Sequence, residues 1–306
     1  MRGLRHFIAR HGVWVALLIE GVVLAVGTDS FLSVENLGNV LRQNSFAAIL
    51  AAGMTFAILT GGIDLSVGST VALSGVLCAD ALAHRFSLPA AVGIGVLAGL
   101  VVGLCNATLV TRVRIPPFLV TLATMLMVRG IARKYTNART ISDLPDSFGA
   151  LGGGVVPIVV MLLVFAGSWV VLARTAAGRH VYAVGGNPDA AFLAGIPVKR
   201  ILRRVYVLSG LTAGLTGVLL ASRLGVGYPE AGQYYELDAV AAVVVGGTSL
   251  FGGRGSIWGT LGGAFFIGVL NNGLNLFNVG LFDQQIVKGV VLLLATSLDL
   301  LRGRDR

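Results

Sequence analysis

Asp64 is the acidic side chain whose setting says most about chemistry. It lies in Gly61-Gly62-Ile63-Asp64-Leu65-Ser66-Val67-Gly68-Ser69, between two apolar runs too close together for an ordinary loop. A carboxylate at membrane depth is costly and implies a partner, a water-filled path or a capping role. The residue types suit a helix broken inside a membrane. Adjacent Gly61 and Gly62 free the chain from helical geometry, Asp64 can cap the helix that follows, and Ser66 and Ser69 can satisfy released backbone groups. An N-cap is the plainer reading of Asp64 and direct solute contact the sharper one.

A second segment, Gly246-Gly247-Thr248-Ser249-Leu250-Phe251-Gly252-Gly253-Arg254-Gly255-Ser256, repeats the design. Each break follows a run of small apolar residues and precedes an Asn-containing run, residues 103–110 in one half and 268–277 in the other. That is a weak internal repeat of the kind found in transporters, and spacing leaves open whether it is inverted or parallel. Asn271, Asn275 and Asn278 stand at i, i+4 and i+7, with Asn272 beside them, and form a polar stripe on one helix face. Such a stripe either lines a path or joins helices by hydrogen bonds.

Catalytic constellations are missing from the sequence. None of the three lysines, Lys134, Lys199 and Lys288, follows a glycine, so there is no Gly-x-x-x-x-Gly-Lys-Ser/Thr phosphate loop. His-Glu-x-x-His and Gly-x-Ser-x-Gly are also absent. Cys78 and Cys105 sit in apolar stretches without a second sulfur or a histidine at ligand spacing. The expectation is a chain that is not an enzyme, with no catalytic residue, no metal site and no cofactor of its own.

The elements that must position the breaks are membrane helices. Hydrophobic residues make up 55% of the 306 and charged residues 12%, with a mean hydropathy of +0.85, where a soluble domain carries about 25% charged residues. Long uncharged stretches meet the demand of a hydrocarbon core ~30 Å thick. Spans are expected at 12–27, 45–60, 67–83, 88–110, 116–131, 155–173, 205–222, 237–251, 257–278 and 285–300. The interrupted stretches 45–83 and 237–278 read equally well as re-entrant pairs. The first span reads as retained rather than as a cleaved signal, because Glu20 interrupts it and no clean cleavage pattern follows. Gly95, Gly99 and Gly103, and likewise Ser209, Ala213, Gly217 and Ala221, recur every four residues as close-packing faces. Glu20, Asp80, Asp238 and Asp299 fall near span ends, where snorkelling or capping accounts for them, and His6, His11, His84 and His180 carry no role. The expected fold is an all-α polytopic membrane protein of about ten transmembrane helices with two glycine-broken segments, one transmembrane domain over residues 1–306.

Charge gives the orientation. With the N-terminus inside, 15 basic residues fall on the cytoplasmic side and six outside, so the positive-inside rule puts both termini in the cytoplasm. The net charge of +9 is therefore topological and no sign of a nucleic-acid partner. Only one inside segment is long, residues 174–204, with six basic side chains and one acidic. Within it Asn187 is placed as an N-cap, Pro188 at the first helical position and Asp189 on the positive dipole end, while Gly195 and Pro197 stop the helix after about two turns. The loop is either a solvated connector or a docking surface for a cytosolic partner.

Several motifs then carry a resemblance, in order and over nearly the whole chain. AGMTFAILTGGIDLSVGS (52–69), RIPPFLVTLATMLMVRG (114–130), TAAGRHVYAVGGNPDAAFLAGI (175–196), ELDAVAAVVVGGTSLFGGRGSIWGTLGGAF (236–265) and NNGLNL (271–276) resemble the permease subunits of bacterial ABC sugar importers of the ribose, xylose, arabinose and galactofuranose type. The resemblance implies a multi-pass subunit of the bacterial inner membrane, surrounded by lipid, which pairs with a like or sister permease around a central path. It would receive sugar from a periplasmic binding protein and dock onto an ABC ATP-binding subunit that alone holds ATP and magnesium. The family's coupling helix falls on Asn187 to Gly195, with Gly185, Gly186, Asn187, Pro188, Asp189, Ala190 and Gly195 as the coupling set. The path or broken-helix set is Gly61, Gly62, Asp64, Ser66, Ser69, Gly246, Gly247, Asn271, Asn275 and Asn278. The shared motifs do not single out one sugar, and a cousin class carries branched-chain amino acids. An ion-driven carrier that needs no ATPase is the rival reading, since broken helices and a midplane acid suit it too.

Overall fold

The computed structural model describes residues 2–304, with side chains over 12–297; the terminal arginines, His6, His11 and Asp299 lie outside the described side chains. The elements are α1 (Arg2–Gly27), α2 (Val34–Leu59), α3 (Val67–Ala83), α4 (Leu88–Thr108) continued by a π turn (Leu109–Val113), α5 (Pro117–Thr136), α6 (Asp146–Gly152) and α7 (Val156–Arg174). They continue with α8 (Ala176–Gly186), α9 (Pro188–Leu193), α10 (Val198–Leu224), α11 (Tyr235–Val245), α12 (Ile257–Leu276) and α13 (Leu281–Arg304). Among the described residues the only extended pairing is a single bridge between Ile141 and Gly227. The fold is all-α and polytopic, and each expected span except 237–251 lies along one helix, the one at 88–110 running into the π turn. The stretch from α4 through its π turn, α7 and α10 are each long and apolar enough to cross a membrane, while Gly12–Gly27 and α3 are shorter apolar helices.

Local chemistry sets the helix starts. Ser33, Thr175 and Asn187 are extended residues whose side-chain oxygens accept the backbone N–H of Asn36, Gly178 and Ala190, which caps α2, α8 and α9. Proline occupies the first turn of α4, α5, α7 and α9, where its missing N–H costs nothing. At the other end, Gly225 in the left-handed region closes α10.

α10 is the central post and packs on α2, α3 and α4. Gly99 and Gly103 of α4 meet Tyr206, Gly210 and Gly214 of α10 backbone to backbone, Gly95 receives the Val218 side chain, and a Cβ on Gly210 would come within 2.8 Å of the Gly103 backbone. Further along the same side, α10 does the same with α3, where a Cβ on Gly75 would sit 2.9 Å from the Gly217 carbonyl oxygen. Backbones this close gain dispersion that a larger residue removes. Gly210→Leu is therefore expected to destabilise the bundle by roughly 3 kcal/mol or more through overpacking, seen as a lower melting temperature in detergent. Unchanged melting would contradict this packing.

One of the expected spans is too short to cross alone. α11 has 11 residues, ~16 Å at the helical rise, about half of a hydrocarbon core. The span expected at 237–251 is thus a half-helix followed by a glycine turn. The N-terminal end of α11 meets that of α3, since a Cβ on Gly68 would fall on the Glu236 carboxylate and 2.6 Å from the Gly232 carbonyl oxygen. The loop 174–204 also differs from the expected single short helix. It holds α8 as well as α9, because Thr175 caps a helix there, and the first turns of α10.

Candidate translocation and coupling site

The first break is built around Asp64, which is 1% exposed. Its Oδ1 accepts the Ser66 N–H at 3.0 Å and the Ser66 hydroxyl at 2.6 Å, and its Oδ2 accepts the Ser209 hydroxyl of α10 at 2.7 Å. Asn106 of α4 donates to Ser66 Oγ at 2.8 Å, and Thr121 of α5 donates to the Ile63 carbonyl at 2.9 Å. Ser69 donates back to the Ser66 carbonyl, and the buried Tyr206 places its hydroxyl against Gly62. Segment 60–66 is therefore tied to α4, α5 and α10 by charge-assisted and backbone hydrogen bonds.

The capping expectation for Asp64 needs correction. α3 starts at Val67 with Ser66 as its N-cap residue, and Asp64 bonds the Ser66 amide ahead of the helix. The carboxylate anchors the break to neighbouring helices, and its enclosure leaves it no solute to touch in this conformation. Ser209 has the look of a packing residue in sequence, and Thr121 and Tyr206 give no signal there. Asn106 lies in the Asn-containing run that the repeat singles out.

The Asn stripe lies elsewhere. Asn272 and Asn36 exchange amide hydrogen bonds at 2.8 and 3.0 Å, joining α12 to α2, and Asn275 accepts from Gln284 of α13 at 2.8 Å. Asn278 stands beyond α12 in the left-handed region. Of the expected path residues, only Gly61, Gly62, Asp64, Ser66 and Ser69 are gathered into one cluster. Asp238 does more than cap, for its carboxylate pairs with Lys288 at 3.1 Å and ties α11 to α13.

In the 174–204 loop, Asn187 accepts the Ala190 N–H at 2.9 Å, Pro188 and Asp189 form the first turn of α9, and Gly195 follows its end with φ +80. α9 projects an apolar pair that sequence pattern does not flag, Phe192 at 70% and Leu193 at 85% exposure. The exposed Lys199, Arg200, Arg203 and Arg204 follow it. Gly185 behaves differently from its neighbours, because it faces the bundle: a Cβ there would strike the Leu59 carbonyl oxygen at the end of α2 and lie 2.5 Å from the Gly253 nitrogen. The Gly253 N–H donates to the same Leu59 oxygen at 2.9 Å. A Cβ on Gly252 would meet Gly185 O and Gly61 N, both at 2.8 Å. One turn earlier on α8, the half-buried Tyr182 donates its hydroxyl to the Gly255 carbonyl at 3.1 Å. Burial holds that phenol above its ordinary pKa, so it is a neutral donor. Both broken segments and the long loop thus meet at one backbone junction.

At the far end of α10 a strap, residues 225–234, crosses back to α11. Arg129 of α5 donates to the Pro229 and Ala231 carbonyls at 2.8 and 2.9 Å, and Arg133 forms a two-pronged pair with Glu230 at 2.6 and 2.8 Å. The Arg133 guanidinium beside Glu230 holds its carboxyl below the usual range. A depressed folded pKa stabilises above the unfolded value and is lost as pH falls through the folded one. Glu230→Gln is expected to flatten the acid-side fall in melting temperature; an unchanged slope would show that the pair contributes nothing. Among the described residues no cluster of three or more His, Cys, Asp or Glu side chains is disposed to hold a metal.

Comparison with known proteins agrees with this architecture. The family model described as "Branched-chain amino acid transport system / permease component" matches residues 36–296. The ribose import permease protein of Bacillus subtilis is 45% identical over 94% of this chain and 92% of its own. The ribose import permease protein of Escherichia coli K12 is 43% identical over 93% and 92%. The D-allose transport system permease protein of the same organism is 37% identical over 94% and 90%. No solved structure matches. With a family model covering most of its length and full-length relatives well above 30% identity, this membrane chain belongs to the family of transport-system permease components.

Proposed function

We propose that the chain is the membrane-spanning permease subunit of an ABC importer, passing a sugar from a periplasmic binding protein into the cytoplasm while a separate ATP-binding subunit supplies the energy. The observation that carries this is the 42–45% identity, over nearly the full length of both chains, to ribose import permeases. Relatives named for D-allose, L-arabinose and xylose at 35–38% identity support a sugar as the substrate class, and ribose is the first to test. The permease pairs with a second permease chain, and its 174–204 loop and both termini face the cytoplasm, in keeping with the basic residues there. α9 is the coupling helix, with Phe192 and Leu193 seated in the ATP-binding subunit.

In this reading nucleotide-driven closure of the ATPase pair favours the outward-facing permease, and hydrolysis with release returns it inward, a population shift between two packings of the same helices. The catalytic groups and the magnesium belong to the partner. The test is a mild-detergent pull-down of tagged chain from its native cells, with crosslinking to retain weak partners. Co-purification of a P-loop ATP-binding protein is expected. Recovery of the chain alone would contradict the reading and favour an ion-driven carrier.

A further inference from the structure

A coupling helix is useful only if its displacement reaches the path, and the junction at Gly185 is built for that. We propose that α8, through Gly185 and Tyr182, is the transmission element that moves both broken segments together. The inference rests on the ABC reading of the chain and assigns the positioning residues for its coupling step.

α9 carries the exposed apolar pair and touches little of the bundle. α8, joined to it at Asn187, is seated inside, with Val181 and Val184 buried and Gly178 against the end of α7. Its last turn is wedged between the two breaks. On one side lies Leu59, whose carbonyl ends α2 just before Gly61 and Gly62, and on the other lie Gly252 and Gly253. Gly61, Gly252 and Gly253 have φ of +76, +84 and +71, a region that side chains disfavour. The contacts at Gly185 are backbone to backbone, with no side chain to yield between them. A shift of α8 therefore shifts both breaks.

From the junction two routes lead inward. Gly62 presses on the Tyr206 hydroxyl and, further on, Asp64 holds α10 and Ser66 holds Asn106 of α4, so the first route ends at the start of α3. Gly255, held by Tyr182, packs against Thr248, and Gly246 packs against Gly259 of α12, so the second route ends on α11. The N-terminal ends of α3 and α11 meet at Gly68 and Glu236. Movement entering at one loop thus reaches both of the helices whose N-terminal ends face each other.

The experiment uses the whole transporter in vesicles, with the permease and ATP-binding subunit reconstituted and the sugar-binding protein loaded with labelled ribose. Sugar uptake and ATP hydrolysis are read in the same vesicles. Tyr182→Phe keeps the ring and removes one hydrogen bond. It is expected to leave ATPase co-purification and melting temperature near the parent while sugar moved per ATP falls about threefold or more. Gly185→Ala is expected to lower the same ratio more than Tyr182→Phe does. A ratio in Tyr182→Phe equal to that of the parent overturns the inference, whatever Gly185→Ala does. Failure of the parent chain to retain any ATP-binding subunit is a different result, and overturns the functional reading itself.

Discussion

Replacing Phe192 and Leu193 together by glutamate is expected to abolish sugar uptake while the permease still inserts and melts normally. The two side chains are 70% and 85% exposed on a short, well-capped helix. Seating such side chains in a protein groove yields about 1.5–3 kcal/mol each, and every 1.4 kcal/mol is about tenfold in affinity. Losing both, with two carboxylates left to desolvate, weakens docking by about a hundredfold or more. Pull-down of the ATP-binding subunit and uptake in whole cells read this directly. Asp189→Lys is expected to act in the same direction, because it puts a cation on the positive end of α9. Normal co-purification and uptake in the double variant would remove α9 from the coupling role.

Asp64→Leu is expected to cost stability as well as transport. It leaves the Ser66 amide and the Ser66 and Ser209 hydroxyls without their acceptor in a place water does not reach. Each abandoned buried donor costs about 1–3 kcal/mol, so a loss of about 3 kcal/mol or more is expected, seen as a melting temperature lower by about 5 °C or more. Asp64→Asn retains an oxygen for the Ser66 groups, and the Ser209 hydroxyl can turn to accept from the new amide. It should therefore keep most of the stability and a good part of the transport. Full stability with complete loss of uptake in Asp64→Asn would mean that the charge itself acts on the solute, contrary to an anchoring role for Asp64.

Much of the architecture is legible in the sequence because lipid permits so few solutions. A backbone at membrane depth must satisfy its own hydrogen bonds, so apolar runs become helices and paired glycines mark where they stop. The Asn187-Pro188-Asp189 start is read correctly for the same local reason, since the cap bond from Asn187 to Ala190 involves only near neighbours. What escapes is what depends on distant contacts. α8 hides behind a short glycine-bearing sequence, and its seat between Leu59 and Gly253 joins residues from three separate parts of the chain. The partners of Asp64 are equally remote, as Ser209 looks in sequence like one more small residue on a packing face. Asn278 misleads in the opposite way, because its spacing continues the stripe while its left-handed backbone stands beyond the end of the helix.

If the chain is an ABC permease, it moves sugar only while a separate subunit hydrolyses ATP. The direct measurement is uptake of labelled ribose by vesicles holding the purified permease, with and without its ATP-binding subunit, with ATP enclosed and the loaded binding protein outside. Accumulation is expected only when the ATP-binding subunit, ATP and the binding protein are all present, and none from the permease alone under a proton or sodium gradient. Sugar accumulation by the permease alone, driven by the gradient and indifferent to ATP, would contradict the ABC assignment.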